Sequence, residues 1–120
     1  MRDHKSLQVW QSAHAVARGV IELAKSHWKP YAAALFDQLQ RASLSVQLNI
    51  AEGYTFGDTP SFRRHLGIAY GSALETRELL ELAIDMGLLP HRLVDPLLAS
   101  ARDTQYLLLG MLKRRRSFRP

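Results

Sequence analysis

With 120 residues, no cysteine and no apolar run long enough to span a bilayer, the chain excludes disulfide frameworks, thiolate metal centres and a transmembrane anchor. Its length suits one domain with its own core over residues 1–120, and the mixed polar and apolar start Met1-Arg2-Asp3-His4-Lys5 lacks the form of a signal peptide, so a cytoplasmic protein is expected. The formal charge of +5 is local: Lys113, Arg114, Arg115, Arg116 and Arg119 carry no acid among them, and the remaining Lys and Arg equal the 11 Asp and Glu in number.

Four helices are predicted, and nothing reads as a strand. The first runs from about Ser6, a plausible N-cap, to Ser26, with Leu7, Trp10, Ala13, Ala17, Val20, Ile21 and Ala24 at helical spacing. Pro30 closes it, because proline disfavours helical geometry in the residue before it. The second spans Tyr31 to Tyr54, with Leu35, Leu39, Ala42, Val46, Asn49 and Ile50 on its inner face. Gly53 and Gly57 bracket its exit into a loop. Thr59-Pro60 then supplies an N-cap followed by proline at the first helical position.

The third helix extends from Pro60 to Met86 and stops at Gly87, with Phe62, Leu66, Ala69, Ala73, Leu80, Ala83 and Ile84 as its stripe. Gly67 and Gly71 lie inside it, and each costs about 1 kcal/mol against alanine. Two such losses point to close packing of a neighbouring helix there. Asp95-Pro96 repeats the cap-plus-proline signature and places the fourth helix at Pro96 to Arg115, facing inward through Leu97, Leu98, Ala101, Leu108, Met111 and Leu112. Long helices with short connections favour an all-α, antiparallel up-down four-helix bundle.

The second and third helices carry polar residues at or beside their inner stripes: Gln38, Arg41, Ser45, Asn49 and Glu52 on one, Ser72 and Glu75 on the other. Buried polar groups must be paired internally, so these seven are expected to form a structural polar core. Asn49 reads either as a ligand-binding amide or as a device fixing helix register, the second being favoured. Glu52 and Glu75 would serve acid–base chemistry only if they lined a common pocket.

Other chemistry is poorly represented. No Glu-x-x-His pair exists for a carboxylate-bridged metal, the five His are scattered, and Glu75, Glu78 and Glu81 drift around their helix, so no metal and no cofactor is expected. There is no nucleophile elbow and no phosphate-cradling glycine loop. What remains is basic. The tail at 113–120 is suited to phosphates, or to solubility and complementing the negative end of the last helix. Arg63, Arg64 and His65, next to Tyr54 and Phe56, form a second basic-aromatic cluster of the kind that meets single-stranded nucleic acid, or else they pair with Asp58 or a neighbouring subunit.

Leu7-x-Val9-Trp10-Gln11-x-Ala13, then Leu35-x-x-Gln38-Leu39-x-Arg41-Ala42-x-x-Ser45-Val46-x-x-Asn49-Ile50-Ala51-Glu52-Gly53, then Phe62-x-x-x-Leu66-x-x-Ala69-x-Gly71-Ser72-x-x-Glu75 together resemble the four-helix bundle family of 23S rRNA intervening-sequence proteins. The chain departs from the family's pattern at Tyr31, where an acid is usual nearby, and at Gln40 and Phe56, which stand where arginine is expected. The resemblance implies a bacterial protein whose protomers close into a ring-shaped homopentamer, with a biochemical role not established for the family. The accessory protein of diversity-generating retroelements, a more distant relative, shares that form and is implicated in nucleic-acid binding, which is an analogy of fold.

The expected function is that of a non-enzymatic oligomeric bundle. Self is its first partner and RNA or DNA its second, held through Lys113, Arg114, Arg115, Arg116 and Arg119, with Arg63 and Arg64 secondary. The alternative is a protein-interaction scaffold that docks another protein and has no nucleic-acid role. Neither reading involves a membrane.

Overall fold

The computed structural model describes residues 3–117, with side chains through Arg114. A short 3-10 turn, His4–Ser6, precedes α1 (Gln8–His27); a second, Pro30–Ala32, leads into α2 (Ala33–Tyr54); α3 (Pro60–Asp85) and α4 (His91–Ser117) follow. No strand occurs among the described residues. Among the described residues, helices α1 and α3 each pack against both α2 and α4, and the backbones of the diagonal pairs stay apart, so the four form an up-down square 51 Å long and about 21–23 Å across.

Local chemistry sets most of the helix limits. Thr59 is extended and its hydroxyl accepts the Phe62 N–H at 3.3 Å, with Pro60 in the first position, where its missing N–H costs nothing. At the other end of α3, Gly87 takes φ +70°. Its N–H donates to Ile84 and that of Leu88 to Ala83, at 3.0 and 2.9 Å. This pair of bonds satisfies terminal carbonyls and needs a residue free of Cβ strain.

Two helix starts differ from expectation. Ser6 does not cap α1; it closes the 3-10 turn by donating to the Asp3 carbonyl at 2.9 Å, and Leu7 holds the cap position without a side-chain bond. Helix α4 begins at His91, not Pro96, because the Pro90 carbonyl accepts from both Leu93 and Val94. Pro96 then lies inside the helix. There it removes only the N–H that would meet Arg92, an exposed residue of the first turn, where water can replace the bond.

The interior has two apolar sections. One gathers Val20, Phe36, Leu39, Leu80, Val94 and Leu98; the other gathers Val9, Ile50, Phe62, Leu66, Ala69 and Leu108. A void of about 10 Å³ is lined by residues of all four helices, Val16, Val46, Ala73, Thr76, Ala101 and Thr104. The buried face of α1 is Val9, Ala13, Val16, Ala17, Val20, Leu23 and Ala24, which moves the expected stripe away from the half-buried Leu7, Trp10 and Ile21.

Gly67 and Gly71 do not mark a close helix approach within the protomer. Both are exposed, and a Cβ on either would meet nothing within 4 Å. The tight crossings lie at Gly53, where a Cβ would come 2.8 Å from the His65 Cβ, and at Gly19, where it would strike the Leu97 side chain. Gly53 is therefore a buried packing residue inside α2 as well as a neighbour of the exit loop.

Candidate nucleic-acid interface

The antiparallel order brings the start of α3 beside the end of α4. Arg63 Nη1 donates to the Leu112 carbonyl at 2.9 Å. A cation in the first turn of α3 opposes that helix's dipole, and the negative end of α4 alongside offsets the conflict. Arg64 is exposed, as are Lys113 and Arg114 in the last turns of α4. Arg115 and Arg116 continue the α4 backbone, their side chains lying outside the described ones; Arg119 lies outside the described residues altogether. Arg63, Arg64 and the base of the tail, separated by about fifty positions in the chain, thus share one end of the bundle.

The same end carries aromatic and imidazole rings. Phe56, in the loop after α2, stacks on His65 with ring centroids 5.5 Å apart and planes 12° from parallel. Asn49 donates through Nδ2 to the Ser45 carbonyl at 2.9 Å, which turns its Oδ1 toward His65 Nδ1, also at 2.9 Å. That oxygen only accepts, so the proton of a neutral His65 resides on Nδ1. Across α1, Trp10 stacks on His14 at 4.6 Å and meets the edge of His4 at 5.5 Å, while His14 Nδ1 donates to Gln47 Oε1 at 2.9 Å.

The seven expected polar-core residues do not form a buried core. Gln38, Arg41, Glu52 and Glu75 are exposed, and Ser45, Asn49 and Ser72 are half-buried. Six of them line the outer edge of the α2–α3 contact. Gln38 Nε2 donates to Glu75 Oε2, the Ser45 and Ser72 hydroxyls bond at 2.8 Å, Asn49 holds His65, and Glu52 lies 3.9 Å from the same imidazole. Arg41 belongs elsewhere, paired with Asp37 one turn before it at 3.1 Å. The stripe is polar because it rims the core and stays within reach of water.

That placement separates Glu52 from Glu75. Glu52 is level with His65, whereas Glu75 is level with Gln38, fourteen residues back along α2 or about 21 Å at the rise of an α-helix. Two carboxylates so far apart cannot flank one bond. Two open hollows among the described residues lie between α1 and α4, one lined by Gln8, Ser12, Ser100, Asp103, Tyr106 and Leu107, the other by Gly19, Glu22, Leu23, Ser26, Leu93 and Leu97; neither glutamate lines either of them.

The buried polar groups are others. Ser43, Thr76, Thr104 and Gln105 are enclosed. The Ser12 and Thr104 hydroxyls bond to each other, and both reach the Ser100 carbonyl. Gln105 Oε1 accepts from Arg77 Nη1 at 2.6 Å, leaving Arg77 Nε buried without a partner. Thr76 and Thr104 donate to carbonyls four residues back in their own helices, so their burial costs little. Among the described residues no three His, Asp or Glu side chains converge in a metal-holding group.

The family model described as 23S rRNA-intervening sequence protein matches residues 5–110. The chain belongs to this family. Its fold is shared with a crystal structure of a protein of unknown function from the S23 ribosomal protein family of Bacteroides thetaiotaomicron VPI-5482. The two align with a TM-score of 0.80 at 23% identity, covering 88% of this chain and 98% of the other. No curated protein shows significant similarity to the chain. As a member of the 23S rRNA-intervening sequence proteins, it has α1, α2, α3, α4 as far as Gly110, the polar α2–α3 rim and the Gly53 crossing inside the matched span. The tail at 113–120 lies beyond it. No helix among the described residues is long and apolar enough to cross a membrane.

Proposed function

We propose that this protein is a non-enzymatic, cytoplasmic homo-oligomer, five bundles closed into a ring, that binds nucleic acid, RNA foremost, through the basic end of each bundle. The observation that carries this reading is the gathering of Arg63 and Arg64 beside the last turns of α4, where Lys113 and Arg114 open the basic tail. Phosphate contacts of this kind hold a nucleic acid without reading its sequence. Five copies in one assembly would turn weak contacts into high avidity.

Exposed apolar residues support the assembly. Leu48 on α2 and Ile68 and Leu82 on α3 are exposed, and helical spacing sets them on the outer side of the α2–α3 pair together with Gly71. Contact between protomers over this face would give Gly67 and Gly71 the neighbour they lack within one bundle. Sedimentation at a mass about five times the 13.6 kDa protomer is the expected result, and a monomer would overturn the ring.

The nucleic-acid reading is tested by fluorescence anisotropy with labelled RNA over a range of salt concentrations, comparing the full chain with one ending at Leu112. Because single-strand binding loses about 0.7 in log–log salt slope per phosphate neutralised, removing five charges should lower the slope by as much as about 3.5. Equal binding by both forms would move the contact to Arg63 and Arg64. No binding at low salt would favour a protein-docking scaffold, a reading for which Trp28, Tyr31 and Met86, exposed at the opposite end of the bundle, offer the apolar surface.

A further inference from the structure

The loop between α2 and α3 holds an aromatic ring with one face packed and much of its surface in water. Phe56 is 48% exposed, so about half of the side chain stays open to solvent. It is nevertheless held firmly. Its N–H donates to the Gly53 carbonyl at 3.0 Å, and its ring lies nearly parallel to the His65 imidazole. That imidazole is only 12% exposed and fixed by Asn49, and its Cβ sits against Gly53, where any other residue would push it away. Phe56 thus stacks on an imidazole that Asn49 and the close approach of Gly53 to its Cβ hold in place, and about half of Phe56 remains in solvent.

We propose that Phe56, backed by His65, is a stacking platform for an unpaired base, so that the nucleic acid taken by this protein is single-stranded. The proposal rests on the nucleic-acid reading above and adds the class of ligand. A base within a duplex has both faces covered by its neighbours, whereas an unpaired base can continue the stack. Phosphate is not the group this spot receives: the exposed Glu52 carboxylate lies 3.9 Å from the His65 ring and repels it. The phosphates would run instead toward Arg64, eight residues on at the same end of the bundle, and toward Lys113 and Arg114. Phe56 stands where the resemblance led us to expect arginine, so this chain exchanges a charge for an aromatic face at that point.

The test compares a fluorescein-labelled twelve-nucleotide uridine strand with a duplex RNA of equal length, by anisotropy at low salt. Aromatic–base stacking should make Phe56→Ala and Phe56→Leu bind the single strand about five- to a hundredfold more weakly, with the duplex within twofold of wild type and Phe56→Trp near wild type on both. Circular dichroism melting checks that each variant folds. Undiminished single-strand binding by Phe56→Ala would overturn the platform and leave the basic-end reading standing, as would wild-type affinity in Phe56→Leu, which keeps apolar contact without a π face. Equal weakening on both ligands would make Phe56 a structural support for the loop and overturn the platform likewise. If wild type binds neither ligand, the nucleic-acid reading itself fails and the platform falls with it.

Discussion

His65 Nδ1 donates to Asn49 Oδ1 at 2.9 Å, and this bond joins α2 to α3 beside Gly53, where a Cβ would come 2.8 Å from the His65 Cβ. The asparagine that reads in sequence as a register device does act between helices, though at the rim and not in the core. Its amide is spent on Ser45, its oxygen on His65.

Asn49→Ala should therefore destabilise the bundle by about 1–3 kcal/mol, because it leaves the Nδ1–H of a largely buried imidazole without an acceptor. Adding His65→Leu should cost much less than its effect in the wild-type background. Urea denaturation of the single and double variants measures the coupling, and strict additivity would show that the bond carries no energy.

Glycines on opposite sides of the helices should respond in opposite directions. Gly53→Ala places a methyl group 2.8 Å from the His65 Cβ and should cost about 1–3 kcal/mol through overpacking. Gly67→Ala and Gly71→Ala meet open space in the protomer and should each raise helix stability by up to about 1 kcal/mol. If the outer α2–α3 face joins protomers as proposed, the latter pair should also shift sedimentation toward smaller species. Unchanged assembly would place the contact elsewhere.

Gln105 is the acceptor on which a half-buried guanidinium depends. With Arg77 Nε already unpartnered, Gln105→Leu should lower stability by about 1.5–3 kcal/mol, since hydrogen bonds to charged groups are worth that much. The double variant Arg77→Met, Gln105→Leu should recover most of the loss, because it removes the charge along with its partner. Thermal melting distinguishes the two.

Arg63 and Arg64 are adjacent in sequence and should separate by experiment. Arg63→Ala removes the bond to the Leu112 carbonyl and should cost about 0.5–1.5 kcal/mol of stability. Arg64→Ala, at an exposed position, should leave stability within about 0.5 kcal/mol of wild type. It should instead reduce the salt slope of single-stranded RNA binding by about 0.7. A stability loss in Arg64→Ala with no change in slope would reverse the assignment.

The sequence by itself determined the four helices and most of their limits, because those depend on groups a few residues apart. Thr59-Pro60 starts α3 and Gly87 stops it by bonds and backbone freedom that need no partner helix. The family was equally legible, since its motifs lie in the residues themselves and the matching span covers residues 5–110. Tertiary structure alone decided which polar residues are enclosed. Helical spacing gives the direction of Gln38, Ser45, Asn49 and Glu75 but not how far a neighbouring helix reaches around, so a rim and a core carry the same pattern in sequence. It also decided which glycine lies under a neighbouring helix, that α4 starts before Pro96, and that Arg63 reaches the Leu112 carbonyl at the base of the tail. Each of these depends on what packs alongside a helix, and that partner comes from a distant part of the chain.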